Sequence, residues 1–76
     1  MKTEICNILE SLHPELDYSQ QSDFIENGML DSFDIVNLVS ELEEKFDIVI
    51  DGIEIIPENF NSLDAIESLI LRSEKK

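Results

Sequence analysis

Between Asp31 and Phe46 the residues Ile35, Leu38, Val39, Leu42 and Phe46 recur at the spacing of one α-helical face. A strand alternates its faces every second residue and could not bury that set together. Asp31 stands just before the pattern as its natural N-cap, and Asp34, three positions later, puts a second carboxylate where the helix dipole favours one. The spacing therefore predicts a helix from about Ser32 to Phe46, with Phe33 and Val36 off the buried stripe and turned to solvent.

The rest of the chain is organised around that helix. Ile5, Ile8, Leu9 and Leu12 form a first amphipathic stripe, with Thr3 as the expected N-cap and Pro14 limiting the helix to about His13. The polar stretch Glu15 to Asn27 reads as a long ordered loop, tacked to the core by Leu16, Tyr18, Phe24 and Ile25. Phe24 to Gly28 closes it as a turn, with Gly28 suited to positive φ. Ile48-Val49-Ile50 fits either a strand or an extended buried connector. Ile53, Ile55, Ile56 and Phe60 are expected to pin the following segment, with one short helix near Pro57 to Phe60. A last helix begins at Asn61 or Ser62, carries the stripe Leu63, Ile66, Leu69 and Ile70, and frays into Arg72 and the basic end Lys75-Lys76. No internal repeat or low-complexity tract interrupts the pattern. The expectation is an all-α domain spanning residues 1–76, with three main helices, one short helix and a long first loop.

Composition narrows the function. At 76 residues the chain buries a small core and leaves little room for a deep catalytic pocket. One cysteine, Cys6, allows no internal disulfide, and one cysteine with one histidine supplies too few ligands for a Cys/His zinc site. No apolar run approaches the ~20 residues that span a bilayer. Nor does the amphipathic start after Met1 resemble a secretory leader. We expect a cytoplasmic protein. Eighteen Asp and Glu against five Lys and Arg give a net charge of −13. That charge disfavours nucleic acid and anionic membrane, favours basic protein surfaces, and argues for a monomer.

Ser32 lies between Asp31 and Phe33-Asp34, with no histidine, cysteine or glycine-rich loop beside it in sequence. At the first helical position its hydroxyl projects near unpaired backbone N–H groups, where a phosphodiester on that oxygen would be favoured. Asp31 and Asp34 could help hold a divalent cation while a separate enzyme transfers the group. The simpler reading is that Asp31-Ser32 only caps a helix, and that Asp31 and Asp34 are solvated capping acids rather than a catalytic pair. Other groupings carry less. Asp47, Asp51, Gly52 and Glu58 match positions 1, 5, 6 and 12 of a calcium loop, but Val49 occupies position 3 and Pro57 position 11. His13 reads as a helix-end or surface residue, and Cys6 as a small residue at the edge of the core.

The segment from Phe24 to Val39, with Gly28-Met29-Leu30-Asp31-Ser32 at its centre, resembles the phosphopantetheine-attachment region of acyl carrier proteins. The likeness continues through Leu42-Glu43-Glu44-Lys45-Phe46-Asp47-Ile48 to Ser62-Leu63-Asp64-Ala65-Ile66 and weakens in the first twenty residues. It implies a four-helix bundle that is not itself an enzyme. Such a carrier holds acyl or aminoacyl intermediates as thioesters on 4′-phosphopantetheine, a phosphoprotein linkage. By that resemblance Ser32 is the attachment serine and Asp31 the motif aspartate. Phe33, Asp34, Val36, Asn37, Glu41 and Glu44 fall on the partner-facing side of the helix. The implied partners are a phosphopantetheinyl transferase, an acyl- or aminoacyl-adenylating ligase and a downstream acyltransferase or synthase. Asn37 stands where many fatty-acid carriers have Glu, and Phe33 where Leu is more usual. Asp31-Ser32-Phe33 with Leu30 before it, Phe46-Asp47-Ile48 and Phe60-Asn61-Ser62 more closely resemble D-alanyl carrier proteins, although Phe60 stands where that group commonly has Trp, and a carrier of a small peptide or polyketide pathway fits nearly as well. We expect a free-standing carrier. The alternative is a small acidic adaptor that binds partners through the same helix face with no prosthetic group.

One physical consequence needs no family. Glu41, Glu43, Glu44, Asp47, Asp51, Glu54 and Glu58 are relieved only by Lys45, so their mutual repulsion is strongest at low ionic strength. Thermal unfolding followed by circular dichroism should show the midpoint rising as NaCl is raised from about 10 mM to about 150 mM, where the Debye length falls from about 30 Å to about 8 Å.

Overall fold

The computed structural model describes the whole chain, Met1–Lys76. Three α-helices form its frame: α1 (Lys2–Leu12), α2 (Ser32–Phe46) and α3 (Leu63–Arg72). α1 packs against both α2 and α3, and the short 3-10 turn Pro57–Phe60 packs against α3. This is the helical bundle that the apolar periodicity and the carrier resemblance imply. A second 3-10 turn, Gly52–Glu54, adds to the one short helix expected.

Each helix buries the stripe its sequence carries. Ile5 and Leu9 of α1, Ile35, Leu38, Val39 and Leu42 of α2, and Ile66, Leu69 and Ile70 of α3 meet in one core that contains no buried charged side chain. Cys6 and Phe46 are partly buried against it, as their positions predict. α2 is capped by Asp31, as read from sequence. α3 is capped by Ser62, whose hydroxyl accepts the Ala65 N–H at 3.0 Å. α1 differs from the expectation. Thr3 is not its cap, because the helix has already begun at Lys2; the α-amino group of Met1 lies 3.1 Å from Glu4 instead.

The long first loop is held down as expected, by two large side chains. Tyr18 and Phe24 are fully buried and meet edge-to-face with centroids 5.1 Å apart. The Tyr18 hydroxyl donates to the Met29 carbonyl at 2.8 Å, so the buried phenol is satisfied. Burial pushes that phenol up to about 12. Gly28 adopts φ +73°, where a Cβ would meet open space, so its requirement is conformational and not steric crowding. Asn61, just before α3, then fastens the loop. Its carbonyl accepts the Phe24 N–H at 2.9 Å, and its side-chain oxygen accepts the Ile25 N–H at 3.0 Å.

Of the two alternatives for Ile48–Val49 the structure takes the strand, β1, which pairs antiparallel with β2, Glu74–Lys75, in the register Ile48 to Lys75 and Val49 to Glu74, and two other expectations about the second half are corrected. The basic end therefore does not simply fray: the Lys76 N–H also donates to the Asp47 carbonyl at 3.0 Å. The second correction concerns Ile53, Ile55 and Ile56, which are exposed, Ile53 to 80%. Only Phe60 of that set is buried. The segment is instead clasped by polar groups. Arg72 donates to Glu54 and to the Asn59 side chain, both at 2.9 Å, and Asn59 donates to the Glu54 carbonyl at 2.7 Å.

The Asn61 tie gives a direct test. Asn61→Ala should lower stability by about 1–2 kcal/mol in urea denaturation, because the Ile25 N–H loses its acceptor. Faster amide exchange confined to residues 24–30 should accompany it.

Candidate functional site

The N-terminal turn of α2 is built by two carboxylates acting on each other's backbone. Asp31 Oδ1 accepts the Asp34 N–H at 2.8 Å, and Asp34 Oδ2 accepts the Asp31 N–H at 3.1 Å. This is a reciprocal capping box with Asp34 in the place of the usual Glu. The first intrahelical bond runs from the Ile35 N–H to the Asp31 carbonyl at 3.0 Å. The N–H groups of Ser32 and Phe33 are left over at the helix end. Ser32 is exposed at the first helical position, and the cap closes around it without using its hydroxyl.

The residues assigned to one helix face divide into two kinds. Phe33, Val36, Asn37, Glu41 and Glu44 are all exposed, Phe33 to 73% and Val36 to 62%. Phe33 and Val36 stand three residues apart on α2, so the two open apolar side chains share one face of the helix. Asp34 is different. Only 14% of its side chain is exposed, and its Oδ2 and its backbone N–H both serve the chain itself. It is therefore not a solvated capping acid, and it does not share the open face with Phe33 and Val36. The acids Asp47, Asp51 and Glu58 are likewise dispersed, across the left-handed cap of α2, the connector and a 3-10 turn. They do not fold into a calcium loop.

The fold also brings in a residue the sequence leaves remote. His13, which closes the C-terminal end of α1, places Nε2 at 2.9 Å from Asp34 Oδ2. The ring N–H is not aligned on that oxygen, so the contact is electrostatic more than a directed hydrogen bond. Nδ1 lies 3.9 Å from Glu15. The Asp34 contact, reinforced by the charges of Glu15 and Asp31, holds the imidazole above its ordinary value despite some desolvation. Burial by itself pushes the Asp34 carboxyl up. His13 and the Asp31 N–H outweigh it and leave that carboxyl below the ordinary aspartate range.

Comparison with known proteins places the chain in a family. Aminoacyl carrier protein 1 of Bradyrhizobium diazoefficiens is 38% identical over 67 residues, which cover 88% of this chain and 73% of that protein. Aminoacyl carrier protein 2 of the same organism is 34% identical over 67 residues, covering 88% and 74%. The chain belongs to the carrier-protein family. No protein-family model matches this carrier protein, and no solved structure matches it. No helix of the carrier is long and apolar enough to cross a membrane.

Because Asp34 lies below its ordinary value in the folded carrier, its contribution to stability is complete above the unfolded carboxylate range, near about 3.9. It is lost as pH falls through the lower folded value. Urea denaturation of the carrier and of Asp34→Asn should therefore differ at neutral pH and converge on acidification toward about pH 3. Taking the difference removes the separate effect of discharging the other carboxylates.

Proposed function

We propose that the protein is an aminoacyl or acyl carrier whose prosthetic group, 4′-phosphopantetheine, is attached to Ser32. The observation that carries this reading is the exposed Ser32 hydroxyl on the first turn of a capped, 15-residue helix in a chain of this family. The residues present fit the group. Ser32 offers a hydroxyl that the fold leaves uncommitted, and the spare N–H groups of Ser32 and Phe33 favour an attached phosphodiester. Asp31 caps the turn that presents the serine. When bound, the group supplies a flexible arm ending in a thiol that holds the cargo as a thioester.

The chain's own residues then do three things. The first turn of α2 holds the serine out from the core. Phe33 and Val36 offer an apolar contact to an incoming enzyme. Asn37 extends that contact, and Glu41 and Glu44 steer basic surfaces toward it. Asp34 drops out of this partner set, since its carboxylate is occupied within the fold. The partners are a phosphopantetheinyl transferase, an adenylating ligase that loads the cargo, and an acyltransferase or synthase that removes it. The names of both relatives favour an aminoacyl cargo. Tethering raises the local concentration of that cargo at each enzyme.

The exposed Phe33 and Val36 would serve an adaptor without a prosthetic group equally well. Ser32→Ala separates the two. Incubation with coenzyme A and a phosphopantetheinyl transferase, read by intact mass, should add one phosphopantetheinyl group to the parent and none to Ser32→Ala. The substitution should cost less than about 1 kcal/mol, because the Ser32 side chain is not the cap. A folded parent that gains no mass with the transferase of its own organism would favour the adaptor.

A further inference from the structure

We infer that His13 is a positioning residue for Ser32: its imidazole, Nε2 2.9 Å from Asp34 Oδ2, ties the end of α1 to the capping box that starts α2. The inference rests on the reading of Ser32 as the attachment serine.

The geometry carries it in three steps. Asp34 Oδ2 has two neighbours, the Asp31 N–H at 3.1 Å and His13 Nε2 at 2.9 Å. The oxygen that completes the reciprocal cap is thus also the one that faces another helix. Asp31 and Asp34 enclose Ser32 and Phe33 in sequence, so loosening the box loosens the turn on which the serine stands. Without an outside tie, the first turn of a helix frays with little free-energy cost. His13 supplies that tie from α1, which is itself anchored in the core by Ile5 and Leu9.

The tie depends on charge. The groups facing the imidazole are Asp34 on α2, Asp31 at its cap and Glu15 in the loop after α1, together with the C-terminal carbonyls of α1. All three charged neighbours are acidic. The nearby Tyr18 hydroxyl is neutral, donating to Met29. These neighbours favour the imidazolium and raise its titration. The tie is therefore complete below the ordinary histidine value, about 6.5, and is lost as pH rises through the higher folded value.

Two variants test this in the full chain. Gln places an amide nitrogen near the Nε2 position without charge, and Ala removes the contact. Amide exchange of Asp31, Asp34 and Ile35 in the unloaded protein should be faster in His13→Ala by about two- to fivefold at pH 6, the range for a modest ion pair. His13→Gln should fall between them and show no change in relative protection with pH. The rate of loading by the transferase, expressed as the ratio of parent to His13→Gln at each pH, should fall toward unity as pH rises from about 6 to about 9. That ratio cancels the pH dependence of the transferase. A merely structural histidine would lower stability in both variants without bending it. Equal exchange in all three proteins, or a flat ratio, overturns the inference and leaves the Ser32 reading standing. A parent that is never loaded overturns the Ser32 reading, while exchange still decides whether the tie exists.

Discussion

The reciprocal bonds between Asp31 and Asp34 fix where α2 begins, and most of what matters in this chain follows from that starting point. A helix that began one residue later would rotate the stripe Ile35, Leu38, Val39 and Leu42 by about 100° relative to its own cap. Phe33 and Val36 would then turn toward the core, and Ser32 would fall outside the helix. Two short carboxylates, each accepting the other's backbone N–H, define the register more tightly than hydrophobic burial does. Burial tolerates sliding along a smooth stripe; a capping box does not.

The cap works only because the chain approaches it from a defined direction. That direction is set well before Asp31. Tyr18 and Phe24 bury the middle of the long loop, and Gly28 turns the chain at a φ that other residues reach only with strain. Met29 and Leu30, both buried, bring it to the helix start. Asn61 holds the loop from the far side through its carbonyl and its amide oxygen. The loop is long, but it is bonded to Asn61, the residue before the cap of α3, so α2 and α3 have their N-terminal approaches fastened together. A mobile loop of that length would leave the helix start poorly defined even with an intact cap.

The parts legible in the sequence are the ones set by near neighbours. The bounds of α2, its cap at Asp31, the turn at Gly28 and the exposure of Phe33 and Val36 all follow from periodicity and side-chain chemistry within a few residues. What sequence reasoning missed is long-range. Asn61 carries no local signal that it will bond residues thirty-six positions earlier. His13 reads as an ordinary helix end until α1 and α2 are packed together. The ladder between Ile48–Val49 and Glu74–Lys75 joins an ambiguous apolar run to a charged tail that has no strand pattern of its own. Ile53, Ile55 and Ile56 fail for another reason. Hydrophobicity predicts burial, but the tight turn Gly52–Glu54 and the Arg72–Glu54–Asn59 clasp hold that segment by polar groups and leave the isoleucines outside. Thr3 fails as a cap because the helix starts two residues earlier than its side chain could serve.

The placement of the few cations explains how so acidic a protein keeps a directed surface. Lys2 is engaged by Asp64 and Glu67, which tie α1 to α3, and Arg72 by Glu54. Lys45 is the one lysine or arginine between Thr3 and Leu71. The exposed face of α2 therefore runs from apolar at Phe33 and Val36, beside Ser32, to acidic at Glu41 and Glu44. These ends act over different distances. Carboxylates act across roughly the Debye length, about 8 Å at physiological salt, whereas apolar groups act only on contact. Under the carrier reading, a basic partner is drawn in by the far end of the helix and seated by the end that bears the serine. The order of those events comes from the order of residues along α2.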